Sequence, residues 1–242
     1  MDTEALYLED SSARRFEAEV VRTLDGPPRV VLDRTQFYPE GGGQPADHGV
    51  LRLDGREWTV TDVQKRDTVY HELDEEPPEA GTTVTGELDW ERRYAHMRYH
   101  TAQHLLSALL LEDYDAPTRG NQLYADRARI DVEHERFTET DLADVEAAMN
   151  GLVEDGREVT WFTMDRERAE RELDPERTRI ELLPESITEL RIVEIAGDGE
   201  PYDRTACAGT HVRNTREIGP VTVTGRETGG SERERIHFEL EG

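Results

Sequence analysis

Hydrophobic and polar positions alternate over short runs through the first ninety residues of the chain. The run at residues 16–24 has Phe16, Ala18 and Val20 on one side, the two-residue period of a half-buried strand. Further runs of this kind lie at residues 29–32, 49–53, 58–63, 68–73 and 82–88. Turn signals such as Asp54-Gly55 separate them, and no helical period intervenes. This pattern predicts a small β-barrel.

The period changes to that of a helix near residue 91, and apolar positions then form one broad face up to residue 113. Further along we predict a second helix at about 138–154 and a charged helix at 165–173. We predict strands at 123–133, 159–164 and 187–195, a loop at 201–211, and a final hairpin formed by 221–225 and 236–240. The predicted fold class is therefore α+β. A barrel domain (1–90) precedes an α+β domain (91–242) with a largely antiparallel sheet.

The charge balance is strongly acidic, with 55 Asp and Glu against 29 Lys and Arg and a formal net charge of −26. Lys65 is the single lysine. Because the apolar patterning is that of a folded protein, we interpret this surface as an adaptation to concentrated salt, a halophilic trait, rather than as disorder. At about 1 M salt the Debye length is only ~3 Å, so the net charge does not exclude a nucleic acid as partner.

The sequence contains no apolar run suited to a signal peptide or a membrane span. Cys207 is the one cysteine, so no disulfide can form within the chain. Both features lead us to expect a cytoplasmic protein that makes no contact with a membrane.

Two five-residue motifs about a hundred residues apart carry metal-binding chemistry. His100 and His104 lie four positions apart in the first predicted helix and therefore on one face of it, and Cys207 and His211 have the same spacing in a polar loop. Each pair alone is a weak signal, since such spacings arise by chance and a lone cysteine is often a small buried hydrophobe. Together they offer three imidazoles and a thiolate, which suits tetrahedral zinc.

The other histidines have no such partner, and we expect His48, His71, His96, His134 and His237 on the surface or in strands. His96 is the nearest competitor for the site, since it lies one helical turn before His100.

A glycine-rich loop at residues 35–49 is the second chemical signal. It has neither the Gly-Lys-Ser/Thr of a P-loop nor the setting of a dinucleotide fingerprint. Gly41, Gly42 and Gly43 allow backbone angles closed to other residues. A flexible connection between strands would explain the three glycines. However, the aromatic-Pro-Glu segment before them and the Gln-Pro segment after them favour a structured loop that borders a site. The last hairpin carries three arginines, Arg226, Arg233 and Arg235. They either lie on a solvated turn or contact a phosphate group.

Four ordered motifs resemble the alanyl-tRNA editing proteins, the free-standing relatives (AlaX) of the editing domain of alanyl-tRNA synthetase. They are TQFYPEGGGQP from Thr35, DWERR from Asp89, MRYHTAQHLL from Met97 and CAGTHVRNTREIG from Cys207. The resemblance covers nearly the whole chain and is closest to the medium-length form. The editing domain of threonyl-tRNA synthetase is a more distant relative.

The resemblance implies that His100, His104, Cys207 and His211 bind Zn²⁺ and that Thr35 lies by the substrate pocket. It implies hydrolysis of the ester in mischarged tRNA(Ala), chiefly seryl-tRNA(Ala), with glycyl-tRNA(Ala) as a second substrate.

A synthetase pocket made for alanine rejects serine only weakly, because one small group is worth ~1–3 kcal/mol there. A second pocket that hydrogen-bonds the serine hydroxyl through Thr35 would reverse this difficulty. No side chain is an obvious general base. We expect Gln103, together with Gly41, Gly42, Gly43 and Gln44 of the glycine-rich loop, to help hold the ester or water. The metal either polarises the substrate or only positions it.

Two alternatives remain at this point. One is a zinc-stabilised RNA-binding module without catalysis, and the other is a metallohydrolase of small esters or amides. The length leaves no room for an amino-acid activation domain, so we expect an ATP-independent hydrolase rather than a full synthetase. We favour a monomer.

Overall fold

Six antiparallel strands in the first part of the chain close into a barrel. The computed structural model describes residues 2–24, 26–178, 180, 183–230 and 232–241. The barrel strands are β2 (Arg15–Leu24), β3 (Arg29–Leu32), β5 (Gly49–Leu53), β6 (Arg56–Lys65), β7 (Val69–Leu73) and β8 (Thr83–Leu88), in the spatial order β2-β3-β7-β6-β5-β8. Alternation directs one side of each strand inward, as for Phe16, Ala18 and Val20, which are all buried. Two short parallel strands, β1 (Glu4–Ala5) and β4 (Arg34–Thr35), lie outside the barrel.

The glycine-rich loop contains a tight turn. Gly42 and Gly43 have φ angles of 59° and 84°, and they occupy the two central positions. Gly41 and Gln44 close the turn through reciprocal backbone hydrogen bonds of 3.1 and 2.9 Å. Because both central residues lie in the left-handed region, glycine is strongly favoured there. The loop is therefore structured.

A buried ion pair anchors this loop within the first unit. The guanidinium of Arg93 contacts the carboxylate of Asp47, and both side chains are almost completely shielded from solvent. Arg93 also donates to the backbone carbonyls of Ser11 and Gln36. Asp47 in turn accepts a hydrogen bond from the backbone N–H of Tyr38 at 2.7 Å. Such a buried pair requires these additional partners, because each charge has lost its hydration.

The chain divides into two compact units, Met1–Met97 and Arg98–Gly242. The described residues include the α-helices α1 (Trp90–Tyr114), α2 (Glu139–Asp155) and α3 (Arg166–Glu172). Helix α1 begins in the first unit and continues into the second. That two separate domains meet near residue 90 stays a prediction. No helix in the described part of the chain combines the length and the apolar character needed to cross a bilayer.

The described strands of the second unit form two antiparallel sheets. One sheet has the order β14-β15-β10-β9, and the other has the order β11-β12-β13. Their bounds are β9 (Thr118–Leu123), β10 (Ala128–Glu133), β11 (Val159–Asp165), β12 (Glu189–Ile195), β13 (Asp203–Ala206), β14 (Val221–Thr228) and β15 (Arg233–Leu240). The α+β class, the barrel and the antiparallel pairing expected from the sequence are thus confirmed.

Two local predictions differ from the structure. The single strand expected at 123–133 is a hairpin, because the chain turns between Tyr124 and Arg127 and pairs back on itself. The loop expected at 201–211 contains β13, which pairs with the edge of β12. Its alternation is only four residues long, too short to be recognised from the sequence.

Candidate metal centre

Helix α1 places two imidazoles on one of its faces. His100 and His104 are 4% and 6% exposed, and their ring centroids are 5.3 Å apart. The spacing of four residues makes these side chains neighbours along the helix. Gln103 lies between them in sequence and is also buried.

The segment that follows β13 brings the other two residues to this helix. The Sγ atom of Cys207 lies 3.6 Å from Nε2 of His100 and 3.4 Å from Nε2 of His211. Arg191 on β12 holds this segment by donating to the carbonyl oxygens of Cys207 and Gly209, at 2.7 and 3.1 Å. Strand pairing and one guanidinium therefore fix the position of the thiol.

The four side chains fit a metal ion. One donor atom from each of His100, His104, Cys207 and His211 lies within 4.8 Å of the others. Zinc–nitrogen and zinc–sulfur bond lengths place the ligand atoms of a tetrahedral site about 3.3–3.6 Å apart. The sulfur–nitrogen distances of 3.4 and 3.6 Å agree with that spacing. Three imidazoles and a thiolate are borderline-soft donors of the kind that zinc prefers.

A carboxylate orients His104 from the side opposite the cluster. Nδ1 of His104 lies 2.8 Å from Oδ2 of Asp203, which is the first residue of β13. With the Nδ1 proton donated to this carboxylate, the lone pair of Nε2 is directed to the cluster. Arg177 contacts the other oxygen of Asp203 at 2.6 Å, so the buried carboxylate is paired on both sides.

Thr101 supports the second pair of ligands. Its hydroxyl lies 3.3 Å from Nδ1 of His211 and accepts a hydrogen bond of 3.2 Å from the backbone N–H of Val212. Thr101 follows His100 directly in α1. The helix that carries two candidate ligands therefore also fixes the ring that bears a third.

The electrostatics favour the thiolate form of Cys207. Burial opposes ionisation of the thiol, but His100 and His211 outweigh it and hold the pKa of Cys207 well below its ordinary value. The backbone N–H of Gly209 also donates to Sγ at 3.4 Å. Burial and the nearby His100 lower the pKa of His211, which favours its neutral, metal-binding form. Thiolate and neutral imidazole are the forms that bind metal.

Comparison with known proteins finds two family models and several relatives that match this chain. The family model for class II (A) tRNA synthetases matches residues 5–92, and that for the second additional domain of threonyl and alanyl tRNA synthetases matches residues 190–237. An alanyl-tRNA editing protein AlaX-M of Methanosarcina barkeri is 40% identical over 245 residues, which cover 98% of this chain and 99% of that protein. The chain belongs to the alanyl-tRNA editing proteins.

Two further relatives place it within that family. The AlaX-M protein of Methanosarcina mazei is 36% identical, with 98% of this chain and 96% of that protein covered. An alanine–tRNA ligase of Thermococcus kodakarensis is 39% identical over 242 residues, but the match covers only 26% of the ligase. The matches therefore span nearly all of the two editing proteins but about a quarter of the ligase. The resemblance found in the sequence motifs is confirmed.

The remaining residues singled out in the sequence lie in the first unit or on the surface. Thr35 is fully buried, and its hydroxyl lies 2.8 Å from Nε2 of His71. His96 is buried on helix α1 within the first unit, so the expectation of a surface or strand position is wrong for this residue. It is not a member of the four-residue cluster. In the last hairpin, Arg226 pairs with Glu234 and Arg235 pairs with Asp131, each at 2.6 Å, which favours a structural role for these two arginines.

Sequence reasoning missed the groups that hold the candidate ligands. Asp203 and Arg177 were two among 55 acidic and 29 basic residues, with no spacing to mark them. A metal-binding histidine almost always has a carboxylate or carbonyl hydrogen-bonded to its second nitrogen, so such a partner could be expected. Nothing in the sequence indicated which residue would supply it. Thr101 lay within a recognised motif, yet its contact with His211 depends on a long-range approach.

Proposed function

We propose that this protein is a trans-editing hydrolase, which cleaves the ester bond of mischarged tRNA(Ala), and that Zn²⁺ is its metal. The observation that carries this proposal is the convergence of three buried histidines, His100, His104 and His211, with the half-buried Cys207. The near-complete match to proteins named for alanyl-tRNA editing supports it. Seryl-tRNA(Ala) is the chief substrate in this proposal, and glycyl-tRNA(Ala) is the second. The protein works in the cytoplasm as a monomer and needs no ATP.

The bound ion would supply Lewis acidity and a fixed positive charge beside the ester. The ion would be held by the four side chains of the cluster, His100, His104, Cys207 and His211. Asp203 keeps His104 in the orientation that metal binding requires. Gln103, buried on α1 between two of these ligands, is proposed to hold the ester carbonyl or the attacking water by a hydrogen bond. We propose the same task for backbone groups of the turn from Gly41 to Gln44.

Selectivity for serine is assigned to Thr35. A threonine hydroxyl has one proton and two lone pairs. At Thr35, one lone pair of the hydroxyl accepts a hydrogen bond of 3.0 Å from the backbone N–H of Phe37. The contact with His71 uses a second of the three hydrogen-bonding positions. In this proposal the third hydrogen-bonding position is used by the hydroxyl of the substrate's serine. Alanine would leave that position unpaired, at a cost of about 1–3 kcal/mol, or roughly 5- to 150-fold in rate.

A zinc-stabilised RNA-binding module is the second candidate, favoured by the number of ligands. Four protein side chains complete the tetrahedron of a structural zinc site, whereas a catalytic site usually keeps one position open. The two candidates predict different results in one assay.

The assay measures release of the amino acid from tRNA(Ala) charged with serine, glycine or alanine. We expect release of serine and survival of alanyl-tRNA(Ala). His104→Ala should lose bound zinc and deacylation together, while His237→Gln, which alters a histidine outside the cluster on β15, should keep both. Zinc and RNA binding without deacylation would support the binding module. Equal hydrolysis of a short serine ester and of seryl-tRNA(Ala) would instead indicate a small-ester hydrolase.

A further inference from the structure

The indole of Trp161 contacts two arginines beside the segment that carries Cys207 and His211. The guanidinium carbon of Arg213 is 3.7 Å from the ring centroid of Trp161, and that of Arg191 is 4.8 Å from it. We call these three residues the Trp161 stack. All three belong to the second unit.

Strand pairing explains why the stack forms. Trp161 on β11 pairs with Val193, and Arg191 lies two positions before Val193 on β12, so both side chains project from the same face of the sheet. The carbonyl of Arg213 accepts a hydrogen bond of 2.9 Å from the backbone N–H of Val159 at the start of β11. The segment from Cys207 to Arg213 therefore ends at the edge of this sheet.

Arg213 is one of several described arginines that form no ion pair with a carboxylate. Its side chain is exposed, and none of the carboxylates in the described ranges lies within 4 Å of its guanidinium nitrogens. The carboxylate of Glu217, four residues on, accepts hydrogen bonds of 3.0 and 3.1 Å from the backbone N–H groups of Arg213 and Asn214. The positive charge of Arg213 is thus directed to solvent rather than neutralised by a neighbour.

This geometry suits a phosphate group. A guanidinium has a planar set of donors that match phosphate oxygens, and stacking on an aromatic face fixes its plane in advance. A chain with a net charge of −26 has no overall field that would attract a polyanion, so any contact with RNA must come from local, pre-oriented groups. Arg213 lies two residues beyond the candidate ligand His211, next to where the acylated end of an RNA substrate must bind.

We infer that the Trp161 stack is a phosphate-binding surface that holds the acceptor end of tRNA beside the metal centre through Arg213. The inference rests on the proposed editing function for its choice of partner. Arg213 supplies the charge and the hydrogen bonds. Trp161 orients the guanidinium, and Arg191 joins the stack to the segment that carries Cys207.

The test is binding of deacylated tRNA(Ala) to the full-length, zinc-loaded protein over a range of KCl concentrations. Arg213→Ala should weaken binding roughly tenfold, because a hydrogen-bonded charge contact is lost. The slope of log K against log[KCl] should become shallower by about 0.7, the value for one phosphate contact on a single strand. Arg136→Ala is the matched control, since it removes an exposed arginine from the loop between β10 and α2 and should change neither quantity.

Variants of Trp161 separate orientation from simple charge. Trp161→Leu removes the aromatic face and should weaken tRNA binding, although Arg213 is still present. Trp161→Phe keeps a ring under the guanidinium and should restore most of the affinity. The loss in both damaging variants should fall on the dissociation constant and on KM for seryl-tRNA(Ala), with bound zinc retained.

Two outcomes would overturn the inference. One is wild-type affinity and salt slope in Arg213→Ala. The other is loss of zinc in Arg213→Ala and Trp161→Leu, which would make the stack a support for the metal-binding segment only. If the wild-type protein binds tRNA through Arg213 but releases no amino acid from any charged tRNA, the proposed function fails while the surface stands.

Discussion

Nδ1 of His104 lies 2.8 Å from Oδ2 of Asp203, and both side chains are buried. The pair joins helix α1 to strand β13 across 99 positions of the sequence. Burial would raise the pKa of Asp203, but Arg177 and His104 outweigh it and hold that pKa below its ordinary value. Asp203 is therefore present as a carboxylate that fixes the orientation of a candidate metal ligand.

Replacing Asp203 should weaken metal binding without removing a ligand. In Asp203→Asn we expect zinc affinity to fall 10- to 100-fold, the usual effect of losing the carboxylate behind a metal-bound histidine. Competition with a chromophoric chelator measures this affinity. Asp198→Asn, an exposed position in the loop before β13, is the control and should bind zinc as the wild type does. Unchanged affinity in Asp203→Asn would show that the pair is only structural.

Removing the hydroxyl of Thr35 should abolish discrimination between serine and alanine. In Thr35→Val the ratio of kcat/KM for seryl- and alanyl-tRNA(Ala) should fall by roughly 5- to 150-fold, the worth of one paired polar group. Hydrolysis itself should remain, since the metal ligands are intact. Thr35→Ser keeps a hydroxyl and should retain the preference. A preference for serine that survives in Thr35→Val would remove Thr35 from the recognition site.

The buried His71 should make stability fall in mildly acidic solution. Burial lowers its pKa from 6.5 to about 4, although the backbone at Val30 partly opposes the shift. Between these pH values the unfolded chain binds a proton that the folded chain does not. The free energy of unfolding should therefore fall as the pH drops from 6.5 to 4, by up to about 3 kcal/mol from this residue.

His71→Gln lacks this titration and still offers Thr35 a polar partner. Urea unfolding of both proteins across pH 7 to 4 isolates the contribution of His71, because the other titrating groups are common to both. The stability advantage of the wild type over the variant should shrink by about 3 kcal/mol over that range. A constant difference between the two proteins would contradict the assignment.

The ion pair between Arg93 and Asp47 should be important for the stability of the first unit. Asp47→Ala leaves the guanidinium buried without its carboxylate, which typically costs 3–5 kcal/mol. The double variant Asp47→Ala with Arg93→Leu removes both charges and should recover part of that loss. Thermal or urea unfolding measures both effects. A cost below about 1 kcal/mol in Asp47→Ala would mean that water reaches the guanidinium.

Local patterns were enough to predict most of the elements. Alternation located the barrel strands, and Thr138 marked the start of α2, where the structure shows a capping box with Asp141. The pairing of strands into two sheets depends on contacts far apart in sequence, so the four-residue strand Asp203–Ala206 was taken for part of a loop. The alternation at 123–133 gave no sign of the turn at Tyr124.

The residues of the candidate site likewise divide into those that the sequence could predict and those that it could not. Its four ligand candidates carry rare residue types at a recognisable spacing, so the sequence was sufficient to group them. Asp203, Arg177 and Arg213 are charged residues in a chain where 35% of positions are charged, and only the folded structure distinguishes them from their neighbours.

The central claim is that one ion held by this cluster is required for editing. The most direct test measures seryl-tRNA(Ala) deacylation while zinc is titrated into metal-free wild-type protein and into Cys207→Ser. We predict that wild-type activity rises linearly and stops at one zinc per chain, whereas Cys207→Ser stays far below it at the same zinc concentration. Full deacylation by the metal-free wild-type protein would contradict the account.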